Sequence, residues 1–376
     1  MKVPVAKPYL TREEAKAASE TILSGWVTQG PKGEEFETKF AKYVGSKYAV
    51  AVSSCTAALH LSLIVAGIKL GDEVICPSMS FIATANAIRY VGAKPVFAEV
   101  NSKTYNIDVA YAASLITPKT KAILIVHQLG LPADIDAFKR LCRDRKLKLI
   151  EDAACAAGSS YKGKKIGSHS DLVCFSFHPR KVITTGDGGM IATSNKQYYE
   201  RLKRLRQHGM SVSDRVRHSA KKVIFEDYLE TGYNYRMTDI QAAVGIRQLE
   251  KLDWLVCERQ KIARKYHEAL ADLDYLQLPA ETQGYISNYQ SYLLYLKKNA
   301  PISRNSLMQK MLDKNIATRR GIMVAHRATA YQEYSKVNLP ISEDISGRSL
   351  VIPLYVPMTN AQINYVIKTI RTLLQK

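Results

Sequence analysis

The chain has 376 residues, 46% hydrophobic and 23% charged, a balance expected of a soluble globular protein with two or three domains. No apolar run reaches the ~18 residues that a membrane-spanning helix needs. The six cysteines (Cys55, Cys76, Cys142, Cys155, Cys174, Cys257) form no C-x-x-C pair, which argues against a zinc site or a disulfide framework. The formal charge is +20, with basic residues spread along the chain and only a modest cluster from Arg201 to Arg217. No nucleic-acid motif accompanies them, so an anionic small substrate or a solubilising surface is expected instead of nucleic acid. Met1-Lys2-Val3-Pro4 leads into no signal-peptide core, so a cytoplasmic location with no membrane partner is expected.

Taken in order, the chain opens with a helical pattern that Thr11 can cap. Ser24-Gly-Trp-Val-Thr-Gln-Gly30 interrupts it, and a short amphipathic helix follows over Phe36–Val44. Short β-branched runs then alternate with helical segments. Strands are expected at Tyr48–Val52, Glu73–Cys76, Pro95–Val100, Ala122–Val126, Leu147–Glu151, Asp171–Phe177 and Met190–Thr193. Helices are expected near Thr56–Val65, Ile82–Val91, Val109–Ile116 and Asp136–Arg145. This alternation predicts an α/β fold whose mostly parallel seven-stranded sheet is covered on both faces. One long helix is expected from Thr238 to about Leu270, joining a large unit (1–250) to a smaller α+β unit (251–376). The smaller unit should hold strands near Gln290–Leu296 and Leu350–Pro353, a helix at Ser303–Asp313, and a last helix from Asn360.

Ligands of open parallel sheets bind beyond the carboxyl ends of the strands, so the residues that follow each strand sample the site. After Tyr48–Val52 comes Ser53-Ser54-Cys55-Thr56-Ala57, opening a helix whose free N–H groups can hold a phosphate. A plain N-capped helix fits the same residues. After Glu73–Cys76 comes Phe81, which could lie on a planar ring or simply pack in the core. His127 and Gln128 read as satisfied polar residues. Asp152 stands at a strand tip, and Ser176 and His178 precede Lys181 and the turn Gly186-Asp187-Gly188-Gly189. A lysine held in a tight glycine turn suits Schiff-base chemistry once its pKa is lowered, although a surface lysine in a hairpin loop is the plainer reading. Cradle, aromatic, aspartate and lysine, in this order at successive strand ends, outline a pyridoxal phosphate pocket.

At this point the chain resembles the DegT/StrS family of nucleotide-sugar aminotransferases, fold-type I pyridoxal phosphate enzymes. The resemblance runs from about Pro8 to the C-terminus. It rests on SGWVTQGP (24–31), FETKFAKYVG (36–45), SSCTAALHL (53–61), SFIATANAIRYVGAKPVF (80–97), GLPADID (130–136), EDAACAAG (151–158), SFHPRKVITTGDGGM (176–190) and GYNYRMTDIQAA (232–243).

The resemblance implies that Lys181 forms the Schiff base and moves the substrate proton, and that Asp152 binds the pyridinium nitrogen. It implies that Phe81 stacks on the ring and that Ser176, with the N–H groups of Thr56 and Ala57, holds the phosphate. Asn234 should reach the cofactor of a second subunit, giving a homodimer with shared active sites. The family usually has glycine where this chain has Cys55, and often Gln or His, partners of the ring oxygen, where it has Cys155. Trp26, Thr28, His178, Arg319, Arg320 and His326 are candidate substrate contacts. The activity implied is transfer of an amino group, from glutamate, to a keto-deoxy nucleotide sugar. A dehydratase of the same fold would carry histidine in place of Lys181, and a non-catalytic regulator would need neither Lys181 nor Asp152.

Overall fold

The computed structural model describes residues 1–212 and 222–374. The end of the basic cluster, near Arg217, lies outside these residues. Helix α1 (Arg12–Leu23) begins at Thr11, whose side chain accepts from Glu13 N while the Glu14 carboxylate accepts from Thr11 N at 2.7 Å. Helix α2 (Pro31–Val44) follows, with proline at its start and Gly45 in the left-handed region at its end.

Seven strands form the central sheet: β1 (Tyr48–Val52), β2 (Glu73–Pro77), β3 (Lys94–Ala98), β4 (Thr120–Val126), β5 (Lys148–Asp152), β6 (Val173–Ser176) and β7 (Gly189–Thr193). Their order is β1-β7-β6-β5-β4-β2-β3. β7 runs antiparallel to both β1 and β6, and the neighbours from β6 to β3 are all parallel. The carboxyl ends of the six like-directed strands and the start of β7 therefore share one edge.

Alternation along the strands sends apolar side chains to both faces. Ala49, Ala51, Ile75, Ile123, Ile125, Val173 and Phe175 join one buried cluster, and Val50, Val52, Val74, Leu124, Ile150 and Cys174 join another. The first face is covered by Phe36 and Phe40 of α2. The second is covered by α3 (Cys55–Val65), α4 (Ala83–Tyr90) and α7 (Lys196–Leu205); α5 (Val109–Ser114) and α6 (Ile135–Asp144) are the other two connecting helices. Both faces being buried explains why these strands read as nearly continuous apolar runs.

The single long helix expected from Thr238 is two, α8 (Asp239–Glu250) and α9 (Leu252–Leu270), meeting at Lys251 with φ −97° and ψ −6°. The joint is imposed from outside. Lys251 Nζ donates to Thr11 Oγ1 at 2.8 Å and to Glu14 at 2.7 Å, and Gln248 Nε2 donates to Glu14 at 2.9 Å. Burial alone would raise the Glu14 carboxyl, but these donors outweigh it and hold its pKa at about 2.

At the other end of α8, the buried Asp239 carboxylate accepts from Gly30 N at 2.7 Å, Gly33 N at 2.9 Å and Lys32 N at 2.9 Å. It thereby satisfies the opening of α2. Asp239→Ala is expected to destabilise the protein by about 3 kcal/mol, because three backbone donors lose a charged acceptor. A thermal melt is the check: an unshifted midpoint would mean that these donors are rehydrated at no cost.

The rest of the chain builds an antiparallel sheet of β8 (Leu276–Gln277), β9 (Tyr292–Leu296), β10 (Arg319–Arg320) and β11 (Ser349–Ile352), in the order β8-β9-β11-β10. Helices Arg304–Asp313, Pro340–Arg348 and Asn360–Leu374 accompany it. The sequence pattern left out Pro340–Arg348 and the two-residue strands. Leu294 and Leu350 of this sheet share the apolar cluster of Ile123 and Phe175, so one core runs under both sheets.

Candidate active site

The sheet edge defined by the carboxyl ends gathers most of the residues singled out by sequence. Lys181 lies in the connection from β6 to β7, which starts and finishes at this edge. Several bonds fold the connection back on itself. Lys181 N donates to His178 O at 2.8 Å, Thr185 N to Phe177 O at 3.0 Å, and Phe177 N to Gly188 O at 2.9 Å. The glycines are needed on two counts. Gly188 has φ +157°, and a Cβ there would stand 2.4 Å from Thr185 Oγ1 and 2.7 Å from Met237 Cε. A Cβ on Gly189 would stand 2.5 Å from the Ser54 carbonyl carbon and 2.7 Å from Cys55 N. Gly189 thus lets the lysine connection press against the turn that opens α3.

Ser54 caps α3, its Oγ accepting from Ala57 N at 3.1 Å. This corrects the expected cradle: the Ala57 donor is already engaged. Helix geometry leaves the N–H groups of Cys55 and Thr56 without acceptors inside the helix. Ser176, at the end of β6, is buried, and its Oγ accepts from His178 N at 3.4 Å.

Asp152 is 5% exposed. Its Oδ2 accepts from Thr84 Oγ1 at 2.9 Å and its Oδ1 from Ala154 N at 3.1 Å, while Thr84 is held in turn by Ser80 at 2.8 Å. Burial pushes the Asp152 carboxyl up, against the opposing pull of Ala154 N–H, Thr84 and the charge of Lys181. Thr84 was not singled out by sequence. Nothing but its place just past the end of β2 could have marked it.

Lys181 Nζ donates to Cys155 Sγ at 3.3 Å. Burial alone would lower the lysine, but Cys155, Cys55 and Asp152 outweigh it and its pKa stands above the ordinary value. The lowered lysine pKa expected from the sequence is therefore not found, because the sulfur and carboxylate beside the ammonium favour its charged form. Cys55 and Cys155 thus stand in one pocket with Lys181 and Asp152, and burial pushes the Cys55 thiol up. Two further residues, missed by sequence, fix this pocket from the C-terminal part. Asn288 Nδ2 donates to Cys155 O at 2.8 Å, and Gln290 Nε2 donates to Arg180 O at 2.9 Å.

Phe81 is 65% exposed at the loop before α4, an aromatic ring with open surface. His127 and Gln128 are satisfied polar residues. His127 Nδ1 accepts from Ala133 N at 3.0 Å and its Nε2 donates to Glu151 at 2.9 Å, and Gln128 donates to Met79 O.

The other candidates are placed as follows. His326 is 1% exposed with both ring nitrogens engaged, Nδ1 with Ser78 Oγ at 2.5 Å and Nε2 with Glu343 at 3.0 Å. It has no free edge for a substrate, and the substrate contact proposed for it is corrected accordingly. Arg319 and Arg320 are exposed on β10, paired through the backbone with Val351 and Leu350. Trp26 Nε1 donates to Gln29 O at 3.1 Å, and Thr28 O accepts from Asp239 N at 3.0 Å. His178 is exposed, with its pKa pushed down by burial and by Arg180. Asn234 is exposed, its Oδ1 accepting from Arg236 Nε at 3.2 Å, and its neighbour Tyr235 O accepts from Ser53 N at 2.8 Å.

These residues fit pyridoxal phosphate. A lysine amine, a buried carboxylate able to meet a protonated ring nitrogen, two backbone donors at a helix N-terminus and a serine hydroxyl line one edge, and Gly189 keeps the phosphate turn open.

Comparison with known proteins agrees. The chain is 38% identical to the uncharacterized protein MJ1066 of Methanocaldococcus jannaschii over 378 aligned positions, covering 100% of this chain and 98% of that one. Among solved structures, the aminotransferase TlmJ of Streptoalloteichus hindustanus superposes with a TM-score of 0.91 at 32% identity, covering 99% of both chains. Helicobacter pylori PseC, an aminotransferase involved in the biosynthesis of pseudoaminic acid, gives 0.93 at 26% identity over 100% of both. Spr1654 of Streptococcus pneumoniae, solved in a PLP form, gives 0.93 at 28% identity over 100% of this chain and 99% of that one. The DegT/DnrJ/EryC1/StrS aminotransferase family matches residues 8–371, nearly the whole chain. The chain belongs to that family.

Proposed function

We propose that the protein uses pyridoxal phosphate to carry an amino group from glutamate to a keto-deoxy sugar borne on a nucleotide, supplying an amino sugar for glycan precursors in the cytoplasm. The observation that carries the reading is Lys181 Nζ, held 3.3 Å from Cys155 Sγ in the pocket of the buried Asp152. Family membership supports amino transfer, and the role of PseC in pseudoaminic acid biosynthesis supports a sugar acceptor. The surplus of basic residues is compatible with a diphosphate-bearing substrate.

When bound, the cofactor supplies an electron-poor ring that takes up the electron pair left as a proton leaves the substrate carbon. The chain's own residues do the rest. Lys181 holds the cofactor through Nζ and, once free, moves the proton at that atom. Asp152 keeps the ring nitrogen protonated. Ser176 Oγ and the N–H groups of Cys55 and Thr56 hold the phosphate, and Phe81 covers a ring face. Trp26, Thr28 and Arg320 are left for the substrate. The division into units 1–250 and 251–376 belongs to the same proposal. The direct test is colour: glutamate should bleach the yellow purified protein, and a panel of keto nucleotide sugars should restore it with an aminated product read by mass. A protein that takes up no cofactor would end the reading.

Asn234 we assign to the site of a second copy, which makes the active form a homodimer with shared sites. Tyr233 and Tyr235, both half-buried, flank it and are of a residue type enriched at interfaces, whereas Met237 is buried in the chain's own core. Lys181→Ala and Asn234→Ala homodimers should each be weakly active or inactive. In a mixed dimer one site carries both lesions and the other neither, so up to half the activity per dimer should return. Exchange of subunits without recovery would place Asn234 in its own chain's pocket or in none.

A further inference from the structure

Three buried cysteines, Cys76, Cys142 and Cys174, have their thiols pushed up by burial, and Cys257 is exposed without a hydrogen bond from any lysine among the described residues. Cys155 differs from all of these. It is half-buried, its sulfur accepts a hydrogen bond from Lys181 Nζ at 3.3 Å, and its carbonyl is fixed by Asn288 Nδ2 at 2.8 Å. The sulfur thus lies in contact with the one amine that the proposed function needs.

We propose that Cys155 and Lys181 form an oxidation site of the cofactor-free chain, in which hydrogen peroxide joins the two side chains by a sulfur–nitrogen bond. The Lys181 half of this rests on the function proposed above, since a lysine already bonded to the cofactor has no amine to give. The first step is attack of the Cys155 thiolate on one peroxide oxygen. The oxygen–oxygen bond breaks, and the departing hydroxide takes a proton from the Lys181 ammonium and leaves as water. Sulfur has lost two electrons to the peroxide and carries a hydroxyl, and Lys181 is now a neutral amine. With the negative sulfur gone, burial favours that neutral form.

In the second step the Lys181 nitrogen attacks the sulfur. The sulfur–oxygen bond breaks and hydroxide leaves with a proton from nitrogen, as a second water. Per cross-link, one thiol, one amine and one peroxide give one sulfenamide and two waters. The contact already present supplies the proximity that makes this faster than further oxidation by a second peroxide. A thiol reductant reverses the bond and returns both side chains. The consequence is a gate on loading. Oxidised, cofactor-free protein cannot take up pyridoxal phosphate until it is reduced.

The test uses the full-length protein stripped of cofactor with hydroxylamine, treated with hydrogen peroxide, digested without reductant and mapped by mass. The expected product is the Cys155 peptide joined to the Lys181 peptide, lighter than their sum by two hydrogens and released by dithiothreitol. It should form equally in Cys55→Ser and be lost in Cys155→Ser. Uptake of pyridoxal phosphate, read by absorbance, should fall in proportion to the cross-link and return on reduction. A Cys55–Cys155 disulfide, Cys155 found as sulfinic acid, or oxidation confined to Cys257 would each overturn the proposal. Protein loaded with pyridoxal phosphate before peroxide separates the two claims. Protection is expected; a cross-link that forms regardless would remove Lys181 as the cofactor's attachment while leaving the sulfur–nitrogen chemistry in place.

Discussion

Lys181→Ala is expected to abolish amino transfer while the protein stays folded. The side chain has a single polar atom, and that atom is assigned both the attachment of the cofactor and the movement of the substrate proton. Proton transfer by a positioned side chain is worth about 10²–10⁴-fold by itself, so a loss of about four orders of magnitude or more is expected. Little packing goes with it, because Lys181 is only half-buried and its own hydrogen bond is to a sulfur. The backbone turn is held by Phe177, His178 and Gly188, none of which is altered. The readings are the glutamate half-reaction and the circular dichroism of the same sample. Turnover near the wild-type rate in a folded variant would remove Lys181 from the chemistry.

Asp152→Asn separates binding from chemistry. The amide keeps the shape of the carboxylate and can still meet Thr84 and Ala154 N–H, so the pocket should persist and the cofactor should remain bound. What is lost is the negative charge that holds a proton on the ring nitrogen. Without that proton the ring accepts electrons poorly, and proton abstraction should slow by about 10³-fold, within the range of acid–base effects of this kind. Rapid-mixing absorbance with glutamate measures the half-reaction directly. An unchanged rate with cofactor bound would mean that the ring nitrogen has another partner.

The strands of the sheet were legible because burial on both faces writes them as continuous apolar runs, and each predicted strand lies within a few residues of an observed one. The candidate residues that close such strands, Asp152 and Ser176, stand out for the same reason: a polar residue directly after an apolar run is easily seen. Residues that act across long separations were not. Thr84 reaches Asp152 from 68 positions away, and Asn288 reaches Cys155 from 133. Neither carries a local signal. His326 reads as a candidate substrate contact because its tie to Ser78, 248 positions distant, cannot be seen in a loop sequence. The joint at Lys251 was missed for a related reason. No glycine or proline marks it, and Glu14 of α1, distant in sequence, holds Lys251 and Gln248 there.

The placement of β1 has a bearing on how the protein is made. Among the described residues β1 is an edge strand whose one strand neighbour in the sheet is β7, with Val52 opposite Gly189. On the ribosome, β1 and the turn after it emerge long before Gly189 does. Throughout that interval the strand has no strand partner in the sheet, and the Ser54–Cys55 peptide lacks the glycine that later packs on it. Contacts of this sequence separation form slowly, because chain entropy must be given up before they are made. The turn that opens α3 is thus completed only after β7 has been synthesised; until then β1 has α2 against it, Ala51 N donating to Glu37 at 2.8 Å, but no strand beside it. The turn assigned above to the cofactor's phosphate is in this way finished late in biogenesis, after the sheet is assembled.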